Sequence, residues 1–175
     1  MRQSMAAALT AAILIGAVVR AEDKPKEAPK VVLKSPDGKK AYDLQKLTAE
    51  GPMLVRLTCA CSGCDAELPY FKKLQTAYDA KGFKILAVFQ EEPQTLESYL
   101  EKNDVHFLSL ADPKGAAWKT FDAKTMPTNI LIDKGGKVVK VVAGCTKDGK
   151  NAQILSAEVS KLLNTEEVKL AEAKK

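Results

Sequence analysis

The apolar positions of this chain change period repeatedly between Val31 and Leu163. After Gly51-Pro52, "MLVRLT" has the composition of a strand. Leu68, Phe71, Leu74, Ala77 and Tyr78 then recur at intervals of three and four, which predicts a helix from Asp65 to Tyr78 that ends at Gly82. "FKILAVF" is an almost continuous apolar run, the mark of a strand covered on both faces, and "PQTLESYLEKN" follows as a second helix with Pro93 near its start. The economical reading is a strand–helix–strand crossover. "HFLSLAD" predicts a short strand, and Pro113 to Phe121 a turn or two of helix. "PTNILID" and "KVVKVVAG", joined by Lys134-Gly135-Gly136, predict an antiparallel hairpin. "NAQILSAEVSKLL" closes the series as an amphipathic helix, with Ile154, Leu155, Ala157, Val159 and Leu162 or Leu163 available to a core. At the front, "VVLKS" and "AYDL" flank Pro36-Asp37-Gly38 and predict a small hairpin. Alternating periods of this kind belong to an α/β fold, a mixed sheet flanked by helices with an N-terminal β-hairpin extension.

The two ends fall outside this pattern. Residues 1–21 start with Arg2, continue as an apolar run from Met5 to Val19 and close on Val19-Arg20-Ala21, which reads as a secretory signal peptide. The run is about 15 residues long, short of the roughly 20 that span a bilayer. Removal at that point leaves no stable membrane insertion and places the protein in the periplasm or outside the cell. Residues 22–30, "EDKPKEAPK", are charged and proline-rich and read as a disordered linker. The folded domain is then 31–164, and 165–175 is a charged tail of frayed helix. With 175 residues, 46% of them apolar, the chain suits a single domain. Its formal charge of +5 falls to +3 without Arg2 and Arg20, too small and scattered to point to nucleic acid.

Chemistry concentrates in "TCACSGCDAELP", residues 58–69, which holds three of the four cysteines. Cys61-Ser62-Gly63-Cys64 is a C-x-x-C where a strand meets a helix N-terminus. Backbone N–H groups there stabilise a thiolate on the first cysteine, and the second lies one turn on, within reach of a mixed disulfide formed by the first. Zinc sites use the same spacing, but they usually need a second pair, and only Cys59, Cys145 and His106 remain. Export strengthens the redox reading, because disulfides persist outside the cytosol.

"CSGCDAELP", "MPTNILIDKGGKVV" and Gly144 together resemble the extracytoplasmic thioredoxin-like proteins of the TlpA and ResA type, over roughly Val31 to Leu163. The resemblance implies a thioredoxin fold in which Cys61 attacks, Cys64 resolves and Pro127 is a cis-proline lying against the disulfide and keeping metals off the thiols. It also implies that the backbone beside Pro127, at Met126 and Thr128, meets an extended protein substrate. No cofactor is implied. The partners are protein thiols or disulfides and a redox partner protein, with the chain itself a monomer. Three departures stand out. Ala60 replaces the tryptophan usual before the first cysteine, "LTCAC" is one residue shorter, and Arg56 is nearest the position where thioredoxins keep an acid. Glu67 is the candidate proton acceptor in its place, against the plainer reading of an exposed helical glutamate.

Cys59 and Cys145 lie outside the family's basic pair. Cys145 ends the last strand near the active-site rim of such folds, so the two are a candidate second disulfide, with independent buried thiols as the alternative. Two rival functions remain open. One is a copper(I) or other metal carrier using the cysteine cluster. The other is a peroxiredoxin-like peroxidase, since Thr58-Cys59-Ala60-Cys61 contains T-x-x-C, although Leu54 stands where its proline belongs.

Overall fold

The computed structural model describes residues 26–35 and 37–170. The predicted signal peptide and residues 22–25 of the predicted linker lie outside the described residues. A front hairpin pairs β1 (Val32–Lys34) with β2 (Ala41–Asp43), as the turn chemistry predicts. Helix α1 (Leu44–Glu50) follows directly. Then come β3 (Met53–Thr58), the short α2 (Ser62–Asp65), α3 (Leu68–Tyr78), β4 (Lys84–Phe89), α4 (Pro93–Lys102) and β5 (Leu108–Ala111). The chain continues through α5 (Ala116–Thr120), β6 (Thr128–Ile132), β7 (Val138–Ala143) and α6 (Lys150–Leu162).

The five strands β3 to β7 form one sheet in the order β5-β4-β3-β6-β7. β3, β4 and β5 run parallel, and β6 and β7 are antiparallel additions. Every residue of the central β3 is buried, because helices cover both sheet faces. Leu54 packs with Phe71, Leu74 and Leu155 on the α3/α6 face, while Val55 and Leu57 pack with Leu44, Ala117 and Trp118 on the other. Alternation along β3 therefore assigns Arg56 to the α3/α6 face, and its guanidinium lies 4.0 Å from the centre of the Phe71 ring.

Five points differ from the sequence reading. α1 was not anticipated; Asp43 caps it, its carboxylate accepting the Gln45 N–H at 2.9 Å, and Leu44 anchors it. The predicted helix from Asp65 is two pieces with a break at Ala66-Glu67, and Pro69 sits in the first turn of the second. On α6 the buried stripe is Ala152, Leu155, Ser156, Val159 and Ser160, and Ile154, about a quarter turn away, is exposed. The segment from Thr165 to Leu170 is not a frayed helix but an extended strap against the domain: the Val168 N–H donates to the Tyr78 hydroxyl at 2.8 Å, and Leu170 is buried. At the other end, Lys26 to Ala28 hydrogen-bond to Gly136 and Val138, so this part of the predicted linker is tied to the last hairpin.

Candidate active site

Strand β3 delivers the cysteines to the carboxyl edge of the sheet. Leu57 pairs with Thr128 and Thr58 with Phe89, so Cys59 emerges between the end of β4 and the start of β6. Cys61 is the N-cap of α2 in extended backbone, and the first helical bonds run from the Cys64 and Asp65 N–H groups to its carbonyl. The earlier N–H groups of that turn are the ones a helix leaves unpaired, next to the cap side chain.

The sulfurs of Cys59, Cys61 and Cys64 all lie within 4.8 Å of one another. They differ in exposure: Cys61 is exposed, Cys59 partly buried and Cys64 only 5% exposed. Cys59 and Cys61 are joined by a disulfide, and the free Cys64 sulfur is 3.4 Å from that of Cys59. The bonded pair is thus neither of the expected ones, Cys61 with Cys64 or Cys59 with Cys145. The turn between β3 and α2 brings the Cα atoms of Cys59 and Cys61 to 5.4 Å, inside the range a disulfide bridges. Cys145 is an exposed free thiol outside the three-sulfur cluster.

Beneath the sulfurs lies a buried charge network. Both terminal nitrogens of Arg56 donate to Glu67 Oε2 at 3.3 Å, and Nη1 also donates to Asn129 Oδ1 at 2.7 Å. Glu67 Oε1 accepts the Thr146 N–H at 3.0 Å, and the Arg56 Nη2 to Cys64 carbonyl contact is 3.5 Å. Burial pulls the Arg56 guanidinium below its ordinary range, opposed by the adjacent Glu67 carboxylate. Glu67 is fully buried, not an exposed helical glutamate, and donors occupy both of its oxygens. Arg56 thus faces the active-site side of the sheet, where it reaches Glu67 and the Cys64 carbonyl.

The loop before β6 borders the cysteine turn, because Leu57 near the end of β3 pairs with Thr128. The Met126–Pro127 peptide is cis, the Pro127 carbonyl accepts the Gly144 N–H at 2.8 Å, and Met126 is exposed. Thr128 is buried and its hydroxyl donates to the Thr125 carbonyl, so that side chain closes its own loop instead of facing outward. The nearby cavity of about 250 Å³ is lined by Phe121, Thr125, Thr128 and Val141 among others, and by no cysteine. His106 is exposed beside Asp104, and Trp118 is a buried aromatic of α5.

Glu91 escaped the sequence reading. Its Oε1 accepts the Ala60 N–H at 2.8 Å, within the cysteine turn, while its Oε2 is buried without a hydrogen-bond partner among the described residues. Burial raises this carboxyl above its ordinary range, opposed by the Ala60 N–H. The available signal was position: Glu91 follows "FKILAVF", and the carboxyl ends of parallel strands are where α/β sheets build sites.

The chain matches the Redoxin family over residues 23–157. It belongs to that family. It is 32% identical over 120 residues to the thiol-disulfide oxidoreductase ResA of Bacillus thuringiensis subsp. konkukian, covering 68% of this chain and 69% of that one. To the ResA of Geobacillus thermodenitrificans it is 31% identical over 118 residues, 67% of each chain. Among solved structures it is similar to a putative thiol:disulfide interchange protein DsbE from Chlorobium tepidum, with a TM-score of 0.72, 26% identity and coverage of 81% of this chain and 98% of that one. A likeness to the peroxidoxin BcpB of Mycobacterium tuberculosis, 18% identical, shows the fold alone. This Redoxin is a ResA-type thiol–disulfide oxidoreductase of thioredoxin fold.

Proposed function

We propose that this Redoxin works outside the cytosol, after loss of residues 1–21, and exchanges electrons with exported proteins through Cys61 and Cys64. The extracytoplasmic setting rests on the apolar N-terminal run and on the ResA and DsbE likenesses; no helix among the described residues is long and apolar enough to cross a membrane. The observation that carries the roles is the gradient of exposure across sulfurs that are mutually within 4.8 Å. An exposed Cys61 at the N-cap meets the substrate, and a buried Cys64 meets only what is already bound to Cys61.

In the reduced chain, the Cys61 thiolate attacks one sulfur of a substrate disulfide and the other leaves as a thiolate. The Cys64 thiolate then attacks the Cys61 sulfur, releasing the second substrate thiolate and leaving an intramolecular disulfide. The backbone of Met126, beside Pro127, supports an extended substrate segment by strand-like hydrogen bonds. Glu67, its oxygens already occupied by Arg56 and Thr146, fits a positioning role better than proton transfer. The test is reduction of insulin disulfides by the mature chain. Cys61→Ser is expected to abolish turnover and Cys64→Ser to accumulate mixed disulfides; equal activity of both variants and wild type sinks the assignment.

The same three sulfurs favour a second reading, a trigonal thiolate site for copper(I). Stoichiometric copper after reduction and anaerobic loading, lost in Cys59→Ser, would support it.

A further inference from the structure

Cys59 has no place in a two-cysteine exchange, yet its sulfur is bonded to Cys61 and sits 3.4 Å from Cys64. We propose that the cluster is a three-sulfur relay that keeps the oxidised protein nucleophilic, so that it isomerises substrate disulfides without any external reductant. The proposal rests on the reading of Cys61 as the attacking residue.

Three neighbouring cysteines holding one disulfide always leave one sulfur over. With the bridge at Cys59–Cys61 the spare thiol is the buried Cys64, which no substrate can reach. The Cys64 thiolate attacks Cys59 Sγ; the Cys59–Cys64 bond forms, the Cys59–Cys61 bond breaks, and the electron pair leaves on Cys61. One proton lost from Cys64 is matched by one available to Cys61, so the exchange is neutral in electrons and protons. The contact of 3.4 Å must close to the roughly 2.05 Å of a disulfide, a side-chain movement at the end of a strand and not a refolding.

Solvation sets the direction. A disulfide is uncharged and tolerates burial, whereas a thiolate is costly where water is absent. Moving the bridge inward buries the uncharged pair and brings the anion to exposed Cys61. That thiolate attacks a substrate disulfide, and a substrate thiolate then attacks the mixed disulfide, forming a new substrate pairing and regenerating Cys61. No electrons are gained or lost overall.

The test uses the mature chain carrying Cys145→Ser, which removes the exposed fourth thiol, oxidised and freed of oxidant. Alkylation with N-ethylmaleimide and peptide mapping should find label on Cys61; label confined to Cys64 overturns the relay. The same oxidised protein should reactivate scrambled ribonuclease in the absence of reductant, and with Cys59→Ser added the rate should fall by at least about tenfold, since the remaining Cys61–Cys64 bridge leaves no thiol. Undiminished reactivation by the Cys59→Ser protein would also overturn it. Insulin reduction by the reduced Cys145→Ser chain separates the two proposals. If it fails, the reading of Cys61 falls; if it proceeds while Cys61 stays unlabelled, the relay alone falls.

Discussion

Arg56 and Glu67 form a buried ion pair whose partners come from β3 and from the start of α3, with side chains 4% and 0% exposed. Removing one charge leaves the other uncompensated away from water, which costs about 3–5 kcal/mol, while replacing both with apolar residues is often close to neutral. Arg56→Met or Glu67→Leu alone is therefore expected to lower the urea midpoint sharply, and the double variant to recover most of the loss. Glu91 behaves differently, because burial disfavours its ionised form. Its folded-state proton affinity exceeds that of the unfolded chain, so the folded protein binds more protons just above the ordinary carboxylate range. Stability from this group is fully present at the acid side and declines as pH rises through that window. Urea unfolding across the window should show a smaller decline in Glu91→Gln, whose neutral amide can still accept the Ala60 N–H.

The elements were legible wherever one periodicity ran long enough to decide. β3, β4, β6 and β7 have apolar runs bounded by glycine, proline or charge, and all four appear as read. α1 was missed because seven residues hold barely two turns, and its cap, Asp43, also ends the preceding strand. The break at Ala66-Glu67 was hidden because apolar spacing continues through it; what divides α2 from α3 is Pro69 together with the burial of Glu67 against Arg56. Ile154 was placed in the core on hydrophobicity alone, yet Ser156 holds a buried position on the same helix. Its hydroxyl reaches the Tyr78 hydroxyl at 2.9 Å and the Val168 carbonyl at 2.7 Å, partners no periodicity reveals. At the candidate site, C-x-x-C spacing marked two of the three clustered sulfurs, and the Met126-Pro127-Thr128 run marked the loop that holds the cis peptide. The charge beneath it and the position of Cys59 depended on contacts between segments far apart in sequence.

At the scale of the molecule, the boundary after Asn164 follows from a helix that ends and a charged segment that begins, but the charges of 165–170 point outward from a strap that adheres. Tyr78 organises it: its hydroxyl accepts the Val168 N–H, and Gln153 accepts the Leu170 N–H at 2.8 Å. Leu170, 2% exposed, then closes the α3/α6 core containing Phe71, Tyr78 and Leu155. That core backs the same α3 whose N-cap is Glu67, under the cysteines, so the strap bears on the stability of the whole domain while lying far along the chain from its chemistry. Leu170→Ala is expected to cost about 2–5 kcal/mol, the range for a buried leucine truncated to alanine, against little for Lys169→Ala, whose side chain is 79% exposed. Urea unfolding of the two variants measures the difference, and equal midpoints would mean that the strap adds nothing to the fold.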